Sequence, residues 1–332
     1  MNPIFDDIFH EKILPLGDNE IRPLWTVIIP TRNCANYLSR TLQSVLKQDQ
    51  GADKMEIYIV DDCSDKDNPI EVIEKYGEGR IQFIKQNTNV GKSANYGTGL
   101  KKSKGKLIHI LHGDDEVLEG FYKNMESLFL DFPDSGAAFC QCNYIDENSK
   151  VFEKTGFEAH NAGILEDWIS KIIVSQRIQP PSLVVKREVY EQLGGYDNRL
   201  KYMEDWEMYV RIANYFKVAY TPVILANYRV HSLSSSQTSI KKGERIKTQK
   251  LVIKIIDSYT PKACLKKIRK TRSIQQAFYL IQFIPYVIKS RDFVAYCKIL
   301  INILRFTINP RTLYNTFYFT VKWRTLSKRN NG

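Results

Sequence analysis

The chain predicts an α/β fold: a mixed, mainly parallel sheet flanked by helices, with a basic helical extension at its carboxyl end. Three observations carry that expectation. Short apolar runs alternate with helical periodicity from Trp25 to Leu111. Two of those runs, Ile57-Tyr58-Ile59-Val60 and Leu107-Ile108-His109-Ile110-Leu111, lead into paired carboxylates, Asp61-Asp62 and Asp114-Asp115. Charge is also divided: 21 lysines and arginines face 3 acids from Lys241 onward, a net +18, which leaves the first 240 residues at −7. Near-continuous apolar strands belong to parallel sheets buried on both faces. In such sheets ligands sit at the carboxyl ends of the strands.

Residues 1–23, with Pro3, Pro15, Gly17 and Pro23, read as an irregular lead-in. Thr26–Pro30 is a short apolar strand. Ala35–Gln48 follows as a helix, with Leu38, Leu42, Val45 and Leu46 on one face. A strand at 57–60, a helix at 69–76, a strand at 81–84, a helix at 93–104 and a strand at 106–111 complete a βαβαβαβ order. That order predicts parallel, doubly wound strands joined by right-handed crossovers. A helix over 119–132 and a strand over 137–142 come next. The stretch 143–163 has little periodicity and suits an excursion or lid. A strand at 182–185, a turn at Gly194-Gly195, a helix over 204–215 and one or two strands over 218–230 close the body, taken as 24–240. The remainder, 241–332, reads as basic helices broken near Pro261, Pro285 and Pro310.

A length of 332 residues suits one large domain, or a medium one with an appendage. The six cysteines show no C-x-x-C pair or zinc-type spacing, as expected of reduced thiols in a cytosolic protein. The amino end lacks the basic-then-apolar pattern of a signal peptide. No run reaches the roughly 18 apolar residues of a membrane span. A cytoplasmic location is therefore expected.

Adjacent carboxylates at the mouth of a sheet repel each other, so a cation or a donor-rich ligand is expected between them. A nucleoside diphosphate that brings its own metal meets both needs. Taken alone, Asp61-Asp62 suits a helix cap as well as a ligand group, and Glu204-Asp205 suits first-turn carboxylates favoured by a helix dipole.

Six pieces stand in order: Val27-Ile28-Ile29-Pro30-Thr31-Arg32-Asn33, Val60-Asp61-Asp62-Cys63-Ser64-Asp65, Asn89-Val90-Gly91-Lys92-Ser93-Ala94, Gly113-Asp114-Asp115, Gly194-Gly195-Tyr196-Asp197 and Glu204-Asp205-Trp206. Over about residues 24–235 this succession resembles family-2 glycosyltransferases. The resemblance implies a GT-A fold, a nucleotide-diphosphate sugar as donor and inversion at the anomeric carbon. It gives Asp62 the imide N–H of uracil, with Asp61, Pro30, Thr31 and Asn33 lining the nucleoside pocket. Asp115 is implied as the ligand of Mn²⁺ or Mg²⁺, and Asp114 as a partner of the ribose or of the same ion. Lys92, opening a helix, is implied at the diphosphate, where a helix amino end also favours anions. Tyr228-Arg229-Val230-His231 resembles a family strand end, placing Arg229 near phosphate and His231 at the diphosphate or metal. Asp205 is implied as general base, with Glu204 supporting it; Trp206 reads as either a sugar-stacking or a core residue. Departures are Arg32 in place of an aromatic, Gly97 in place of Asn, and His112 where many relatives carry a further Asp. His112 is otherwise assigned no role, like His10, His109 and His160.

The expected partners are a UDP-sugar and a glycan or lipid-linked acceptor of bacterial surface polysaccharide synthesis. Aromatics such as Phe278, Tyr296, Phe317 and Trp323 among the cations of 241–332 suit an anionic bilayer surface at the inner face of the membrane. Packing on the body or on a second copy of the chain is the other reading of that region. No nucleic-acid motif accompanies the basic charge. Two rivals remain: a nucleotidyltransferase, although Pro30-Thr31-Arg32-Asn33 offers no triphosphate loop, and a catalytically silent nucleotide-sugar-binding protein.

Overall fold

The structure, a computed structural model, describes residues 8–17, 21–231, 244–281 and 293–306 and the single positions 284, 288 and 314. The helix breaks expected near Pro285 and Pro310, together with Phe317 and Trp323, lie outside the described residues. The chain divides into two compact units, one formed by 1–168 and 177–231, the other by 169–176 and 232–332.

The first unit is built on one sheet, in the order β3-β2-β1-β4-β9-β6-β10-β5. Strands β1 (Trp25–Thr31), β2 (Met55–Asp61), β3 (Ile81–Lys85) and β4 (Leu107–Ile110) lie parallel, with β1 between β2 and β4. The chain therefore winds outward from β1 in one direction and resumes on its other side at β4, which makes a switch point between them. Strand β9 (Leu183–Lys186) then runs antiparallel between β4 and β6 (Ser135–Ile145). β10 (Lys217–Arg229) lies parallel to β6, and β5 (Glu116–Val117) pairs antiparallel with β10. Short β7 (Val151–Lys154) and β8 (Gly163–Ile164) pair with β6 and β10. The carboxyl ends of β1, β2, β4, β6 and β10 thus share one edge.

The sheet is mixed and mainly parallel, as expected, because a short 3-10 turn, Pro180–Ser182, opens at the carboxyl edge and sends β9 back along the sheet. The one or two strands expected over 218–230 form a single strand, β10. It carries register shifts around Thr221–Ala226, where Pro222 lacks the N–H that a ladder needs. The stretch from 143, expected to be an excursion, begins as the β6–β7 hairpin.

Helices cover both faces. α1 (Ala35–Leu46) and α4 (Phe121–Asp131) send Leu38, Leu42, Val45, Phe121, Met125 and Leu128 onto Trp25, Val27, Ile29, Ile57 and Ile59, all buried. Each such side chain contributes on the order of 1.5–3 kcal/mol by leaving water. α2 (Pro69–Tyr76) packs beside α1, and α3 (Lys92–Lys102) lies against β1 and β2. A Cβ on Gly99 would stand 2.5 Å from the Ile28 side chain, so the close approach of α3 needs glycine there. α5 (Trp168–Ile172) and α6 (Arg187–Leu193) follow, then α7 (Glu204–Tyr215), which is tied back by Arg211. Fully buried, Arg211 donates to the Leu193 and Gly195 carbonyls and to Glu207.

His109 is a core residue. Its Nε2–H donates to the Pro181 carbonyl at 3.1 Å, and its Nδ1 lies 3.2 Å from the Tyr122 hydroxyl. Burial pushes its pKa down to about 3. The folded value lies below the unfolded one of about 6.5, so its contribution is complete above that pH and is lost as pH falls. We expect stability to fall by about 1.4 kcal/mol per pH unit from pH 6.5 toward 5, and His109→Gln to flatten that slope. Urea midpoints across pH 5 to 7.5 check this, and a wild-type midpoint that does not move would contradict it.

In the second unit α8 (Glu244–Tyr259), α9 (Lys262–Ile281) and α10 (Phe293–Phe306) form helices of mixed basic and apolar character. α9 and α10 enclose a core of Ala277, Leu280, Ile281, Ile299 and Ile303, joined by Ile284. Arg272 Nη2 pairs with Asp257 at 2.8 Å, linking α9 to α8. Phe293, Ile301 and Leu304 of α10 are exposed by 72%, 50% and 53%. Among the described residues no helix is long and apolar enough to cross a membrane.

Candidate active site

The ends of β1 and β2 form the first wall. Asp61 is fully buried and turns the chain, its Oδ2 accepting the Ser64 N–H at 3.1 Å and its Oδ1 the Thr31 hydroxyl at 3.4 Å. Asp62 braces the loop before α3: Oδ1 accepts from Val90 N at 2.7 Å, and Oδ2 from Gly91 N at 3.1 Å and Asn89 Nδ2 at 3.0 Å. Burial raises its pKa, against the pull of those two backbone donors. A carboxylate oxygen has two lone pairs, so Oδ1 keeps one direction for a further donor. Gly91, at φ 85°, sits in the left-handed region that glycine adopts without strain, and from there it starts α3. Asn33, after β1, ties that loop to the one after β2, with Oδ1 accepting from Asp65 N and Lys66 N, both at 3.0 Å, and Nδ2 donating to Asp65 at 2.8 Å. Pro30 and Thr31 are buried beside it.

The acidic pair follows β4. A Cβ on Gly113 would lie 2.8 Å from Thr31 Cγ2 and 2.9 Å from Cys34 Sγ, so glycine lets this loop close onto β1. Asp115 is 1% exposed, with Oδ1 accepting the Arg229 backbone N–H at 2.8 Å. Its Oδ2 is buried with no hydrogen-bond partner among the described residues; His112 Nδ1 lies 3.8 Å away. Asp114 Oδ2 meets His231 Nε2 at 3.0 Å. His112, Asp114 and Asp115 offer ligand atoms within 4.8 Å of one another.

Burial, then the neighbouring Asp114 charge, hold the Asp115 carboxyl well above the usual range. For Asp114 burial raises the pKa, but the His231 hydrogen bond and the charges of His112 and His231 outweigh it, and the net shift is downward. An orphaned buried carboxylate oxygen beside a second carboxylate and imidazole nitrogen is a donor set that fits a divalent cation. The sequence reading gave His112 no part in this set. The signal was its place in His112-Gly113-Asp114-Asp115, where it takes the first position of a D-x-D-D pattern.

Arg229, expected at a phosphate, lies within the structure instead, 1% exposed. Nε donates to the Asp114 carbonyl and Nη1 to the Asp146 carbonyl, both at 2.8 Å. Nη2 binds Ser149 Oγ at 3.0 Å and pairs with Glu116. The guanidinium also lies 4.8 Å from the centre of the Tyr37 ring, which in turn packs 4.9 Å from His231.

The opposite wall is the amino end of α7. Met203, at φ 64°, turns the chain into the helix, and Glu204 and Asp205 occupy its first turn. Glu204 is 2% exposed and pairs with Lys92 Nζ at 3.2 Å. Burial raises its pKa, Lys92 lowers it and Asp205 raises it further, leaving a net rise. Asp205 is half-buried and accepts the Trp206 N–H on Oδ1 at 2.7 Å. It borders a small cavity shared with His112 and the hydroxyl-bearing rings of Tyr96, Tyr190, Tyr196 and Tyr209. Trp206 is 1% exposed, a core residue and not a stacking platform. Asp114, Lys92 and Asp205 all act electrostatically on His112. The acidic loop, the α3 end and the α7 end therefore border one cleft.

A family model described as glycosyl transferase family 2 matches residues 26–194. The minor teichoic acid biosynthesis protein GgaB of Bacillus subtilis is 34% identical over 108 residues, which is 32% of this chain and 12% of that protein. Among solved structures, S. aureus TarS 1–349 in complex with UDP-GlcNAc is similar at TM-score 0.58 and 18% identity, over 78% of this chain and 80% of that one. The mannosyltransferase PcManGT of Pyrobaculum calidifontis, in complex with GDP-Man and Mn²⁺, is similar at TM-score 0.59 and 18% identity, over 92% of this chain and 86% of that one. The shared architecture is the GT-A fold, a mixed sheet of mainly parallel strands between helices. With half of its length matched by that model, the chain belongs to glycosyl transferase family 2.

Proposed function

We propose that the chain inverts the anomeric centre of a UDP-sugar while transferring the sugar to a hydroxyl of a glycan or lipid-linked acceptor. The observation that carries this reading is the meeting of Asp205 with the His112–Asp114–Asp115 cluster around one cleft. A base and a cation site on opposite sides of a cleft are what a single displacement requires. The acceptor hydroxyl gives its proton to Asp205 as its oxygen bonds to the anomeric carbon. The bond from that carbon to the diphosphate oxygen breaks, and UDP takes the electron pair. Mn²⁺ or Mg²⁺, when held by Asp115, Asp114 and His231, supplies positive charge to the leaving diphosphate. Asp62 takes the uracil imide N–H on the remaining direction of Oδ1, with Asp61, Pro30, Thr31 and Asn33 shaping the loops around it. Lys92 holds Glu204 beside Asp205 and stands at the helix end where a diphosphate would arrive.

Surface-polysaccharide synthesis is the setting we infer, supported by the likeness to GgaB and by the basic region 241–332. That region suits attachment to an anionic bilayer at the inner face of the cell membrane. The test is a thermal-shift panel of nucleotide sugars with and without Mn²⁺. A ligand bound only by the folded state raises the melting temperature, by RT ln(1 + [L]/Kd) in free energy. We expect UDP-sugars to do so in a metal-dependent way; no shift with any nucleotide sugar would refute the reading.

A further inference from the structure

We propose that His112 is a metal-positioning ligand of this site and that its imidazole, braced by Tyr96, makes the site prefer Mn²⁺ over Mg²⁺. This rests on the metal-dependent reading above. Tyr96 is 3% exposed, its hydroxyl stands 2.8 Å from His112 Nε2, and its ring stacks on the imidazole at 5.7 Å and 19°. The ring plane of His112 is thereby fixed. With Nε2–H donated to the Tyr96 oxygen, Nδ1 keeps its lone pair on the side of Asp115 Oδ2.

That oxygen is the buried atom without a hydrogen-bond partner. A lone pair and an ionised carboxylate oxygen 3.8 Å apart repel each other, and a cation between them turns that repulsion into shared ligation. The spacing is one that two ligands of a single ion can share when each bond is about 2.1 Å. His231 adds a second imidazole on the Asp114 side. Donor class then decides the ion. Mg²⁺ takes oxygen ligands and retains water, whereas imidazole nitrogen is bound more readily by first-row transition ions. An aspartate in place of His112 would make this position an oxygen donor and remove its share of the discrimination. Metal-bound histidines are commonly held by a hydrogen bond from the other ring nitrogen, and losing that partner costs about 10–100-fold in metal affinity. Tyr96 supplies that bond here.

The test is isothermal titration of the full chain with MnCl2 and with MgCl2, each in the presence of UDP. It compares wild type, His112→Asp, His112→Gln and Tyr96→Phe, with melting temperatures recorded for each. In the wild type we expect tighter binding of Mn²⁺ than of Mg²⁺. His112→Asp should reduce that preference by about tenfold or more, with Mg²⁺ affinity kept or improved. His112→Gln should weaken Mn²⁺ alone, and Tyr96→Phe should weaken Mn²⁺ by about 10–100-fold with little change for Mg²⁺. An unchanged Mn²⁺-to-Mg²⁺ ratio in both His112 variants overturns the proposal, as does an equal loss of both ions in Tyr96→Phe. If the wild type binds neither ion with UDP, the metal-dependent reading fails and this proposal fails with it.

Discussion

Asp205→Asn is expected to lower sugar transfer by about 10²–10⁴-fold, the usual worth of a general base, while UDP-sugar binding stays near wild type. The substitution keeps the volume of the side chain and an oxygen for the Trp206 N–H, so the first turn of α7 has no reason to move. What it removes is the capacity to take the acceptor proton. The neighbouring Glu204 cannot replace it, being 2% exposed and held by Lys92. Turnover measured as UDP release with acceptor, beside calorimetric binding of UDP-sugar, separates the two effects. Near-normal turnover would take Asp205 out of the mechanism.

Asp115→Ala is expected to abolish the part of nucleotide affinity that depends on Mn²⁺, a loss of about 100-fold or more. The substitution removes a buried charged ligand, and outer-shell losses alone reach about 10–100-fold. The variant also strips the Arg229 backbone N–H of its acceptor, which costs about 1–3 kcal/mol of stability when the donor stays buried. Asp115→Asn retains an oxygen for that N–H and removes the charge, so it isolates the ligand effect. Calorimetry with UDP in Mn²⁺ and in EDTA reads both variants. Unchanged binding in Mn²⁺ would contradict the assignment.

The half of the sheet around β1, β2 and β4 was legible because its strands are continuous apolar runs that end on acids. That combination leaves little freedom: the runs must be buried, and the acids must sit at an edge. The direction of β9 was not legible, since three apolar residues, Leu183-Val184-Val185, read the same either way along a sheet. β10 looked divisible because Pro222 interrupts the pattern, yet the ladder to β6 absorbs it as an irregularity. Side-chain direction was the harder matter. Arg229 lies at a strand end in either case, and only the folded chain turns it into the body beneath the acidic loop. Lys92 and Glu204 are far apart in sequence, so their pairing had no local signal. His112 has no second histidine at ligand spacing, and in an aspartate pattern it reads as a lost carboxylate, not as a nitrogen donor.

Arg229 fastens two stretches far apart in sequence: the acidic loop with the start of β5, through Asp114 and Glu116, and the turn between β6 and β7, through Asp146 and Ser149. Such a rivet lets those stretches shift together or not at all. Its removal would leave two carbonyls and a carboxylate stranded, a defect of architecture that a survey of activity alone would misread as a missing phosphate contact.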